Sequence, residues 1–164
     1  MDKFKHILFI FDYISALPIS MYISLLYTGI LYHDNYSFIF LIQLLIVDIF
    51  LVPFLKHLPY PSFVNDITNR PQEATNCDYL SKIPHDNKLN TPGLPSGHMT
   101  ITSMFAIAKI LGNQSIVSIC LHVFMIFMMG LSRYYKKCHN FIQIIAGTLL
   151  GCILGYISFH LNNN

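Results

Sequence analysis

Two short stretches of this chain place a histidine beside groups that bind anions. In Pro95-Ser96-Gly97-His98, a serine and a glycine precede an apolar run, the pattern of a helix N-terminus. Ser96 is a natural N-cap there, and Gly97 lets a ligand approach the backbone closely. The unbonded N–H groups of such a first turn, together with the helix dipole, favour an anion beside His98. The second stretch is Ser132-Arg133, five residues, His139, three residues, Gln143. Arg133 closes one apolar run and His139 opens the next. His139 and Gln143 are four apart and so share a helix face. Gln143 can hold one ring nitrogen of His139 and leave the other open to chemistry. The plainer alternatives are a capped helix start with an incidental histidine, and a histidine at a membrane interface. The second of these leaves the Arg–His spacing unexplained.

The elements that must carry these residues are membrane helices. The 164 residues amount to one domain, 1–164, with 54% hydrophobic and only 11% charged residues. Mean hydropathy is +0.51. Soluble domains carry roughly 25% charged residues, so this composition excludes a cytosolic globule, a disordered tail and a nucleic-acid binder of the basic-patch kind. A formal charge of +2 implies no electrostatic partner. A transmembrane helix needs about 20 mostly apolar residues. Candidate spans fall at 7–32 (broken by Asp12 and Pro18), 37–55, 98–111, 115–131 and 139–159. The expected fold is therefore an all-α polytopic bundle of about five spans. The first span reads as an uncleaved anchor, having no small-residue cleavage site.

Between the second and third spans lies a long polar segment, 56–97, rich in proline and charge. A short basic turn, 132–138, joins the last two spans. With five spans, that segment, that turn and the N-terminus share a face, and the C-terminus lies opposite. The shared face collects Lys3, Lys5, Lys56, Arg70, Lys82, Lys88, Arg133, Lys136 and Lys137, which by charge count reads as cytoplasmic. On the last span, Gly147, Gly151 and Gly155 continue the His139–Gln143 face as a small-residue stripe, where membrane helices approach closely. Cys77, Cys120, Cys138 and Cys152 show no metal or redox spacing, and Cys120 and Cys152, set in apolar runs, read as small core residues. Asp12, Gln43 and His122 read as structural polar groups.

Pro95-Ser96-Gly97-His98 followed by Ser132-Arg133-x5-His139 resembles the second and third signature motifs of the type 2 phosphatidic acid phosphatase superfamily. Arg70-Pro71 matches the end of that family's first motif, a Lys, six residues, then Arg-Pro. The resemblance runs from Lys56 to about Gln143. It departs from the family at two places. Phe63, not lysine, stands seven before Arg70, so Lys56 fills the role if 57–69 is an inserted excursion, with Lys82 and Lys88 as weaker substitutes. Gln143 stands where the family has aspartate. An amide orients the histidine but brings no charge, so on this reading Gln143→Asp raises the rate, or Asp48 supplies the missing carboxylate.

The resemblance implies that a lipid phosphate or polyprenyl diphosphate docks among Lys56, Arg70, Arg133 and the Ser96–Gly97 backbone. His139 then attacks phosphorus to form a phospho-histidine, and His98 protonates the departing oxygen and activates water. No metal or cofactor is implied. Partners are the lipid substrate and membrane lipids, with no nucleic acid. Residues 72–94 would lid the site. Membrane members of the family usually turn the site away from the cytosol, against the charge count here. The alternatives are a weak or inactive relative that binds phospholipid head groups, and a lipid phosphotransferase.

Overall fold

A computed structural model of the chain describes residues 10–71, 74, 77 and 92–163. Among these, regular structure is helical apart from one isolated bridge, Asn69 to Pro92. Five long helices carry the fold: α1 (Leu17–Tyr32), α2 (Asn35–Lys56), α3 (Gly97–Gly112), α4 (Ile116–Tyr135) and α5 (Phe141–Asn163). Three of them, α2, α4 and α5, are long and apolar enough to cross a membrane. Their outer faces carry Phe50, Phe124, Leu149 and Ile153, all exposed, an exterior suited to lipid.

The expected first span is not one helix. Residues 10–15 are helical, the chain turns at Ala16, and α1 begins at Leu17. Pro18 is the cause, because it has no N–H and its ring clashes with the carbonyl four residues back. The start of that span at Ile7 lies outside the described residues, as do Lys3, Lys5, Lys82, Lys88 and most of 72–94. In α2, Val47–Leu51 forms a π-helical turn just ahead of Pro53. Such a turn absorbs the hydrogen-bond defect that a helical proline creates.

α3 is the centre of the bundle, with nearly every residue from Gly97 to Ala106 buried. It packs most extensively against α5, and the glycine stripe is the contact. A Cβ on Gly147 would sit 2.5 Å from the Ser96 carbonyl, one on Gly155 2.5 Å from the Met104 carbonyl, and one on Gly151 would strike the Thr100 carbonyl. The backbones therefore touch where any side chain would separate them. Polar pairs add to the packing. Tyr22 donates to Asp48 at 2.9 Å between α1 and α2, and Gln43 bonds Ser158 and Asn162 of α5.

Two expectations need correction. The basic turn is shorter than 132–138, because α4 stays helical to Tyr135. A Schellman closure ends it: Lys137 takes a left-handed φ of 53°, its N–H reaches the Tyr134 carbonyl at 2.9 Å, and the Cys138 N–H reaches the Arg133 carbonyl at 3.0 Å. Arg133 thus belongs to the last helical turn rather than to a loop. Cys120 and Cys152 are not core residues. Cys120 is exposed and Cys152 partly so. In a membrane helix, apolar surroundings in sequence do not mean burial, since lipid tolerates the same residues as the core.

Candidate active site

α2 ends at Lys56, and the chain leaves the bundle through Ser62–Val64 and the short helix Asn65–Thr68 before returning at Asn69. There it pairs with the approach to α3: Gly93 and Leu94 N–H groups donate to the Thr68 carbonyl at 2.7 and 3.1 Å. Residues 57–69 are thus an excursion, which brings Lys56 and Arg70 to one end of the bundle. Lys56 Nζ lies 4.0 Å from where a Cβ on Gly97 would stand, at the N-terminus of α3.

Ser96 occupies the N-cap position of α3 with an extended ψ of 111°, but its side chain makes no capping bond. Its Oγ is buried with no hydrogen-bond partner among the described residues. The N-cap reading of Ser96 is right in position and wrong in bonding. Its carbonyl instead accepts from Thr100 N and Oγ1, both at 3.0 Å. His98 follows, buried, with Arg133, Lys56 and Arg70 as its charged neighbours.

Past the Schellman turn, Asn140 caps α5. Its Oδ1 accepts from Gln143 N at 2.9 Å, and its own N–H donates to Gln143 Oε1 at 3.3 Å, a reciprocal capping box. Gln143 Oε1 also accepts from His139 Nδ1 at 3.1 Å. Its Nε2 donates to the Ile67 and Asn69 carbonyls at 2.8 and 2.7 Å, and its carbonyl accepts from Ser96 N at 3.2 Å. Gln143, wholly buried, thereby ties together the excursion and the His139 ring through its side-chain amide and the start of α3 through its backbone carbonyl. The backbone packs onto it at Gly93, where a Cβ would come within 2.7 Å of both amide heavy atoms.

Because the amide oxygen faces Nδ1, that nitrogen carries the proton and Nε2 keeps its lone pair. Burial, then Arg70, Lys56 and Arg133, hold the His139 pKa well below the usual histidine value, while the Gln143 bond pulls it back upward. His139 is neutral at neutral pH. Asp48, the alternative source of a carboxylate, is bonded to Tyr22 between α1 and α2.

Arg133 is fully buried. Its Nη1 donates to the Cys77 carbonyl at 2.8 Å, and Nη2 donates to Ser15 Oγ and, at 3.5 Å, to Ser132 Oγ. Cys77 is disulfide-bonded to Cys138, the residue before His139. Lys136 is buried and paired with Asp12 at 2.7 Å.

The structure therefore brings Lys56, Arg70, Ser96, Gly97, His98, Arg133, His139 and Gln143 to one end of the bundle. Sequence reading missed Gly93, Asn140, Ser15, Lys136 and the disulfide. Asn140 had a readable signal, an asparagine three before glutamine at the head of an apolar run. The disulfide had none, since pairing cannot be deduced from spacing. Against the gain expected from Gln143→Asp stands a cost that only the structure reveals: a carboxylate would turn lone pairs toward the Ile67 and Asn69 carbonyls.

No curated relative and no solved structure matches this chain. A family model described as the PAP2 superfamily matches residues 35–164. That span carries both histidines and the three cations gathered around them, and the chain belongs to the PAP2 superfamily.

Proposed function

We propose that the protein is a membrane phosphatase that removes phosphate from a lipid phosphate or polyprenyl diphosphate through a phospho-histidine. The observation that carries this reading is His139: buried, neutral, held through Nδ1 by Gln143, and surrounded by Arg70, Lys56 and Arg133. The Nε2 lone pair attacks phosphorus. The cations and the first-turn N–H groups of α3 stabilise the charge on the equatorial oxygens. With the anionic phosphate offsetting the surrounding cations, His98 enters the step as imidazolium, gives that proton to the departing oxygen, and then takes one from the water that cleaves the phospho-histidine. The apolar exterior supports a substrate whose tail stays in the bilayer while its head group enters the polar end.

The disulfide supports one orientation of the site. Disulfides persist in oxidising compartments, and Cys77–Cys138 sits at the site. The proposal accordingly turns the site away from the cytosol, against the charge count, with all five helices spanning. Residues 11–15 pack on residues 132–136, which supports an N-terminal helix starting on the site's face.

The test is phosphate release by purified protein from phosphatidic acid and polyprenyl diphosphates in EDTA. Turnover that vanadate inhibits and that His139→Ala abolishes is the expected result. Tight lipid-phosphate binding without turnover, unchanged in His139→Ala, would leave a head-group binder instead. Transfer of phosphate to an added lipid alcohol in preference to water would make it a phosphotransferase.

A further inference from the structure

We propose that Ser15, on the helical segment ahead of α1 and outside the matched family span, is a positioning residue that fixes the guanidinium of Arg133. The proposal rests on the reading of Arg133 as a phosphate-binding cation.

Ser15 is fully buried. Its hydroxyl donates to the Phe11 carbonyl at 2.7 Å. A serine hydroxyl has one proton and two lone-pair sites. With the proton committed, both lone pairs face cations: Arg133 Nη2, and Lys136 Nζ at 3.2 Å. Ser132 Oγ, 3.2 Å away, donates to the same Phe11 carbonyl at 3.1 Å. This segment is clamped to the end of α4 at two further points, Asp12 to Lys136 and Phe11 stacked on Tyr135 with centroids 5.4 Å apart.

The arrangement gives Arg133 a fixed fork. Nη1 is held by the Cys77 carbonyl and Nη2 by Ser15, so the guanidinium plane is set from two sides by neutral oxygens. A planar cation recognises phosphate by geometry as well as by charge, so a rotated Arg133 would bind it less well. Asp12, by pairing with Lys136, keeps the second buried cation close to Ser15 without drawing on Arg133. The break ahead of Pro18 separates residues 10–15 from α1, and that segment bonds to the end of α4 at Ser132 and Lys136.

Ser15→Thr and Ser15→Val test the proposal, since both add the same bulk and only threonine keeps a hydroxyl. The readout is inhibition by vanadate, with substrate KM and kcat and thermal stability in detergent. A hydrogen bond to a charged group corresponds to roughly a tenfold change or more in binding. Ser15→Val should weaken vanadate inhibition and raise KM about tenfold relative to Ser15→Thr, even where the two melt together. Adding Arg133→Gln should abolish that difference, as residues acting through one another are not additive. Equal vanadate inhibition in the Thr and Val variants, or a difference that survives in the Arg133→Gln background, overturns the proposal. Unchanged inhibition in Arg133→Gln alone removes the phosphate-binding reading of Arg133 itself, and the role of Ser15 with it.

Discussion

Gln143 Oε1 and His139 Nδ1 lie 3.1 Å apart across the N-cap of α5, and the same amide's nitrogen is bonded to two backbone carbonyls of the excursion that follows α2. The residue that orients His139 is therefore also the latch between three chain segments. An amide can do both because it accepts at one end and donates at the other; a carboxylate only accepts.

The first prediction follows from that asymmetry. Gln143→Asp loses both donors and sets a shortened carboxylate against the carbonyls of Ile67 and Asn69. The Ile67 carbonyl keeps a second donor, Asn140 Nδ2 at 3.2 Å, so the loss falls on the Asn69 contact; a buried acceptor left unsatisfied costs about 1–3 kcal/mol. The variant should melt lower and turn over at least tenfold more slowly than wild type. A faster enzyme with unchanged melting would sink this account and restore the simple charge argument.

The second concerns pH. His139 must be neutral to attack, and burial with Arg70, Lys56 and Arg133 keeps its pKa well below 6.5. Depressing the pKa of a base favours its neutral form, so kcat/KM should decline only as pH falls through that lowered value. Replacing Lys56 by glutamine removes one positive neighbour and should move the acid limb of the residual activity to higher pH. Substrate ionisation is common to both proteins, so the difference reports the enzyme. An acid limb that stays put, or moves downward, contradicts the assignment of His139.

The glycine stripe gives a graded third prediction. Alanine at Gly147 or Gly155 drives a Cβ into the backbone of α3, at Ser96 or Met104 respectively. Overpacking of this kind costs typically about 1–3 kcal/mol, so both variants should melt lower. Only Gly147→Ala displaces the residue that begins the His98 turn. Its kcat/KM should fall about ten- to a hundredfold, whereas Gly155→Ala should keep near-normal kinetics. Equal catalytic losses would show that the helices move as one rigid unit.

Reduction is the fourth. Cys77–Cys138 closes a sequence separation of 61 residues, and a crosslink of that span stabilises a fold by about 2–4 kcal/mol. It also holds the carbonyl that receives Arg133 Nη1 next to the residue preceding His139. Reducing agent, or Cys77→Ser with Cys138→Ser, should lower the melting temperature and weaken vanadate inhibition together. Full activity and unchanged melting after verified reduction would remove the disulfide from the account.

The sequence alone determined the membrane class, the positions of the helices to within a few residues, the glycine contact face and the two histidine motifs. These are local properties: hydropathy over one span, helical periodicity and capping patterns all lie within about twenty residues of chain. They sufficed to pair His139 with Gln143 and to place Lys56 ahead of an excursion, although His139 lies just ahead of α5 and meets Gln143 around the Asn140 cap rather than along a shared helix face. Tertiary structure alone decided what Gln143 does with its second end, because the Ile67 and Asn69 carbonyls come from a segment more than 70 residues away. It also decided that Ser15 meets Arg133 across 118 positions, and that Cys77 finds Cys138. No spacing rule reaches that far. It decided, too, which apolar residues are core: α3 is buried on nearly all sides while α4 presents Cys120 outward. In a bilayer both kinds of helix are written in the same apolar alphabet, and only their packing against one another tells them apart.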